Sequence, residues 1–309
     1  KLKSAIWKCL VLFLFIFSFL NANYQIAVVT DNFVIHTIDG KFPVTQSFIN
    51  ELNQRIDQLQ MGTGVYLDSR ADIYVVPDEQ SYELLTQGKG RIVEFSSAFY
   101  SSLDHRIYIR SADQILSNYS GIIMHEYTHW LLDEILRKAP LWFHEGMATQ
   151  QGNQLGLDRY YYYIRERFWG NKMDLIKLAE NYPQHPADWD LYYITSYYAV
   201  QYMKDKDPQA WKDFWEIVSN NYRTGKKTIF SEAFHNAYHM DLWQFNQDFA
   251  AYSKRQAYVY IFTGLGTFIL ILMPFILIYA HIRQRKKMKS LPDIDFPQET
   301  TEDEDENYY

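Results

Sequence analysis

The sequence predicts an α+β fold joined to one C-terminal transmembrane helix, and three observations predict it. Between residues 24 and 118, short runs rich in β-branched and aromatic residues surround one amphipathic helical segment. Beyond residue 152 the chain reads as successive helical segments parted by Gly, Pro or Asp-rich breaks. Residues 258–282 contain no Asp, Glu, Lys or Arg and are mainly aliphatic and aromatic, enough to cross a ~30 Å hydrocarbon core as a slightly tilted helix.

In chain order, residues 25–30, 33–37, 72–76, 91–95 and 106–109 read as strands, and residues 45–60 as an amphipathic helix. They make a small mixed sheet in an N-terminal α+β lobe over 24–118. Two helices follow over 119–151, and a helical lobe over 152–256 with segments at 158–169, 172–181, 190–204, 208–222, 228–238 and 241–255. About 230 residues suffice for one large domain or two fused lobes.

The chain ends frame this domain. Lys1, Lys3 and Lys8 flank an apolar run from Cys9 to Leu20, followed by Asn21-Ala22-Asn23. Residues 1–22 thus read as a signal peptide cleaved after Ala22, or as an N-terminal signal anchor if retained. Arg283, Arg285, Lys286, Lys287 and Lys289 follow the transmembrane stretch, against Lys254 and Arg255 before it. The excess predicts a cytoplasmic C-terminus and an extracytoplasmic domain over 24–256, in a cell-membrane protein with one pass, or two with the signal uncleaved. Leu291 to Tyr309 holds eight acidic residues and no Lys or Arg, which predicts a disordered acidic tail after the basic flank. The only Cys is Cys9, so the domain is expected to fold without disulfides. A net charge of −7 and no basic cluster outside the membrane flank argue against nucleic-acid binding.

His125-Glu126-Tyr127-Thr128-His129 carries the chemistry. On a helix, residues four apart share a face, so His125 and His129 can each give one ring nitrogen to a single zinc ion at ~2.0–2.1 Å. Glu126, about 100° around the helix, can act as general base toward water at the open position, whose pKa zinc lowers to ~7. The flanking Ile122, Ile123, Met124, Trp130, Leu131, Leu132, Ile135 and Leu136 mark a core helix. Burying two His and one Glu there without a partner would cost several kcal/mol, which a metal removes.

A catalytic zinc needs a third protein ligand. If the first helix runs to about Arg137, Lys138-Ala139-Pro140 makes a turn and Pro140 opens a second helix. The outward path from His129 climbs ~12 Å and the return from Leu141 to Glu145 covers ~6 Å, which brings His144 and Glu145 near the histidines. These two point about 100° apart, so only one of them faces the ion.

The run Ile123 to His129, with Glu145 sixteen residues after His129 in Trp142-Phe143-His144-Glu145-Gly146-Met147-Ala148, resembles the peptidase MA-like group of gluzincin zinc metallopeptidases. The resemblance spans residues 24–255, densely in the zinc helices and loosely in Leu191 to Tyr198, Phe230 to Phe234 and Leu242-Trp243. It implies one Zn2+ per chain on His125, His129 and Glu145, Glu126 as base, and a peptide or protein substrate. It further implies an edge strand at 106–110 that pairs with substrate, and Tyr193, in the Tyr193 to Ser196 run, as oxyanion donor. The metzincin pattern does not fit, since Leu132 and Ile135 stand where it needs Gly and His.

Two function classes follow: a membrane-anchored peptidase, or a catalytically silent, metal-stabilised binding or sensor module. Glu126 favours the enzyme, because a scaffold has no need of a base. Tyr160 to Tyr163 cannot all face one core, His235 and His239 read as structural, and the Asn118-Tyr119-Ser120 sequon stands at the start of a buried helix.

Overall fold

Strand-forming runs in the first third of the chain assemble into a five-stranded mixed sheet of β1 (Gln25–Val29), β2 (Phe33–Thr37), β3 (Ala71–Val76), β4 (Ala98–Ser101) and β5 (Arg106–Arg110). This computed structural model describes residues 24–39, 42, 45–86, 96–113, 118–153, 156–169 and 174–289. The signal over 1–22, the strand expected over 91–95 and the acidic tail over 291–309 lie outside the described residues.

The strand order is β1-β2-β3-β5-β4, with β2, β3 and β5 parallel and the two outer strands antiparallel to their neighbours. Alternate residues Phe33, Ile35 and Thr37 of β2, and Ala71, Ile73 and Val75 of β3, are buried, as the two-residue period of a strand requires. Helix α1 (Gln46–Thr63) lays Ile49, Leu52, Ile56 and Leu59 into the core at helical spacing. The Thr45 hydroxyl caps its start by accepting from the Phe48 N–H, and Gly64 ends it at φ 66°. A short α2 (Glu79–Thr86) follows β3.

The structure corrects the expected edge strand. Residues 106–110 form β5, which lies between β3 and β4, so among the described residues the outer strand beside the His-bearing helix is β4. β4 carries a weak sequence signal, because Ser96, Ser97, Ser101 and Ser102 leave only Ala98-Phe99-Tyr100 as a strand pattern.

Helix α3 (Tyr119–Ile135) and helix α4 (Leu141–Gly152) form the antiparallel pair. α3 ends at Ile135 rather than near Arg137, because Leu136 turns extended and Leu136–Arg137 (β6) pairs in parallel with Thr228–Ile229 (β7). Gly121 lets the helices close up: a Cβ there would collide with the Gly152 carbonyl and the Asn118 side chain. Asn118 donates from Nδ2 to the Gly152 carbonyl oxygen at 3.0 Å, so the sequon amide is occupied within the fold.

Then come α5 (Leu157–Trp169), 3-10 turns at Lys177–Ala179 and Pro186–Asp188, α6 (Trp189–Lys206), α7 (Pro208–Arg223), α8 (Phe230–Tyr238) and α9 (Leu242–Lys289). The helix expected over 172–181 is reduced, among the described residues, to the first of those turns. Of the tyrosine run, Tyr163 is buried and donates to the Ser253 carbonyl oxygen, while Tyr161 is exposed. The His235 ring meets the Met240 carbonyl oxygen at 3.3 Å and His239 ends α8 at φ 53°, both structural positions.

The chain divides into two compact units, Lys1–Ala257 and Tyr258–Tyr309. α9 is long and apolar enough to cross a membrane, and its side chains from Phe262 to Ile282 are exposed.

Candidate metal centre

α3 is apolar nearly all round, and Ile123, Met124, Tyr127, Leu131, Leu132 and Ile135 are fully buried along it. Its bystander polar groups are satisfied. Thr128 donates to the Met124 carbonyl oxygen at 2.7 Å, and Gln60 Nε2 donates to the Tyr127 hydroxyl at 3.2 Å. His125 and His129 are different: they converge with Glu145 of α4, and Glu126 lies beside them.

The His125 and His129 Nε2 atoms lie 3.1 Å apart, and Glu145 Oε2 lies 3.4 Å and 3.7 Å from them. A point equidistant from the three atoms lies ~2.0 Å from each, the length of a zinc bond to imidazole or carboxylate. Glu145 Oε2 is buried and has no hydrogen-bond partner, an expensive state for a carboxylate unless a cation completes it. The three side chains therefore fit a metal ion, and they form the one such group among the described residues.

α4 is set by its two faces. Phe143 packs its ring on Phe230 at 4.7 Å and Phe214 at 5.9 Å, which turns Glu145, two positions on, toward α3. His144 stands outside the triad, its ring stacked 5.9 Å from that of His129, so of the two neighbours Glu145 is the one in the cluster. Gly146 allows α6 to approach: a Cβ there would strike the Ser196 carbonyl and the Val200 side chain. That approach brings Tyr193 of α6 beside His125.

Electrostatics sort the ionisable groups. Burial works to raise the Glu145 carboxyl, but His129, His125 and the Tyr182 hydroxyl overcome it and hold the pKa at about 2. Burial pulls His129 down to about 3. Burial also pulls on His125, but Glu145 and Glu126 outweigh it and raise that imidazole above its ordinary value. Glu126 is pushed up to about 7 by burial, with the His125 ring and the Tyr100 N–H opposing and Glu145 adding to the rise. Glu126 is thus poised near neutrality.

Two residues of this site had no sequence signal. Tyr182, in the loop between the 3-10 turns, donates its hydroxyl to Glu145 Oε1 at 3.0 Å, with its ring stacked 5.5 Å from Trp189. Tyr100 of β4 donates its backbone N–H to Glu126 Oε2 at 2.8 Å and its hydroxyl to Asp133 Oδ2 at 2.7 Å. The first is one of 26 tyrosines and the second acts partly through its backbone, so neither leaves a pattern to read. Tyr193 is beside the triad: its ring lies 6.2 Å from that of His125, and the Arg159 guanidinium sits over the Tyr193 ring, 5.2 Å from its centre. Burial first, then Glu145 and Glu126, raise the Tyr193 hydroxyl well above its ordinary pKa, so it is a proton donor rather than a phenolate at neutral pH.

Comparison with protein-family profiles and with curated protein sequences finds no match to this chain.

Proposed function

We propose that this chain is a membrane-anchored zinc metallopeptidase of the gluzincin type, acting outside the cytoplasm on peptide bonds. The observation that carries the reading is the triangle of His125, His129 and Glu145 with the buried Glu126 carboxylate beside it. Two imidazoles and one carboxylate with an open position favour zinc. A zinc ion held there would supply a Lewis acid for the scissile carbonyl and lower the pKa of water.

The chain's own groups do the rest. Glu126, held by the Tyr100 N–H, accepts the proton of the attacking water and returns it to the leaving amine. Tyr193 keeps its proton and donates a hydrogen bond to the developing oxyanion. Tyr182 fixes the Glu145 carboxylate. The apolar length of α9 and the basic residues after it support an anchored domain on the outer side.

The test is Glu126→Gln in the full chain. Metal content is expected to stay at one ion per chain while release of new amines from a protein substrate falls ~100- to 10,000-fold, the usual contribution of a general base. A variant that keeps its turnover, or a parent chain with bound metal and no turnover on any peptide, would replace the enzyme reading with the metal-stabilised binding module.

A further inference from the structure

Resting on the peptidase reading, we propose that Arg159 binds a carboxylate of the substrate beside the metal triad, making peptides with a negative charge close to the scissile bond the preferred substrate class. Arg159 lies in the first turn of α5. Its Nε donates to Asp190 Oδ1 at 3.2 Å, at the rim of α6, while its Nη1 is buried without a hydrogen-bond partner. A guanidinium carries five donors in a planar fork, and leaving one nitrogen buried and unpaired is costly unless a ligand completes it.

The location is what turns this into a recognition group. The Arg159 guanidinium carbon stands 5.2 Å from the Tyr193 ring centre, which is 6.2 Å from the His125 ring. The charge therefore lies within ~11 Å of the His125 ring, the span of about three extended residues. Among the described residues, the charged side chains that act on Tyr193 are Glu126, Glu145, Asp190 and Arg159, and Arg159 is the cation of that set. A carboxylate can pair with a guanidinium through two parallel hydrogen bonds, which fixes direction as well as position.

The carboxylate has two sources, the peptide C-terminus or an Asp or Glu side chain, and the experiment separates them. Full-length, zinc-loaded Glu126→Gln protein in detergent is titrated calorimetrically with tetra-alanine as free acid and as C-terminal amide, and with amides carrying Glu or Gln at the third position. Charge recognition through Arg159 predicts at least ~10-fold tighter binding of one charged peptide than of its neutral partner. That ratio falls to about one in the additional Arg159→Gln variant and is partly restored by Arg159→Lys. A purely structural Arg159, tying α5 to α6 through Asp190, would weaken all four peptides alike and lower the melting temperature.

A free-acid preference assigns the C-terminus and a Glu preference assigns the side chain. Ratios near one with Arg159 in place, ratios that survive Arg159→Gln, or no binding of any of the four peptides would overturn the proposal. Failure of the peptidase reading is a separate result: zinc-loaded protein with Glu126 intact would release no new amines from casein.

Discussion

Tyr182→Phe tests how the site is held together without touching a metal ligand or the base. The substitution removes one hydrogen bond, 3.0 Å long, to a carboxylate that is 4% exposed. A hydrogen bond to a charged group contributes ~1.5–3 kcal/mol, so losing it corresponds to roughly a 10- to 100-fold change in an equilibrium constant. The same range is usual when a group behind a metal ligand is removed. The direction follows from the charges. Tyr182 is one of the three groups that keep the Glu145 pKa at about 2, so without it a proton competes better for the carboxylate. Phe preserves the ring that stacks 5.5 Å from Trp189, which leaves the loop in place. Competition against a chromophoric zinc chelator at neutral pH should show zinc affinity ~10- to 100-fold weaker in Tyr182→Phe. An affinity within twofold of the parent, with Glu145 still binding, would refute the argument that this hydroxyl sets the carboxylate.

Three further expectations follow from the same geometry. Gly146→Ala should destabilise the protein by at least ~2 kcal/mol in denaturant unfolding, because the new methyl group meets the Ser196 backbone of α6; unchanged stability would contradict that close approach. Metal-free protein should lose thermal stability as pH falls below 4.5: His129, with a folded pKa of about 3 against an ordinary 6.5, loses stability all the way down from pH 6.5, but between pH 7 and 4.5 proton uptake by Glu126, raised to about 7, offsets that loss. Glu145, depressed to about 2 from 4.5, adds a loss as pH drops from 4.5 toward 2, so a melting temperature flat from pH 4.5 to pH 3 would argue against both. Turnover should rise with pH through an acid limb at or below about 7, where Glu126 loses its proton, with a bound dication drawing the limb downward; in Glu126→Gln the limb should vanish with the activity.

Periodicity and motif chemistry made much of this structure legible. The i, i+4 pair His125 and His129 needs only helical geometry, and Pro140 with the short turn is enough to bring α4 back alongside α3. The choice between His144 and Glu145 was beyond periodicity, because either can face the ion; the Phe143 contacts that orient α4 come from α7 and α8, some 70 to 90 residues away. Contacts of that kind also hid Tyr182 and Tyr100, whose roles depend on loops and strand edges that meet only after folding. The early end of α3 has a similar origin: Leu136 and Arg137 are good helix residues drawn into the short pairing with Thr228 and Ile229. Strand patterns alone do not place the outer strand, because sheet order is set by crossovers that they do not encode.

The most direct test of the central claim is the metal content of the purified full-length protein by elemental mass analysis, measured beside Glu145→Ala. The account predicts one zinc per chain in the parent and a loss or marked weakening in the variant. No metal in the parent, or a full complement of zinc in Glu145→Ala, would contradict it.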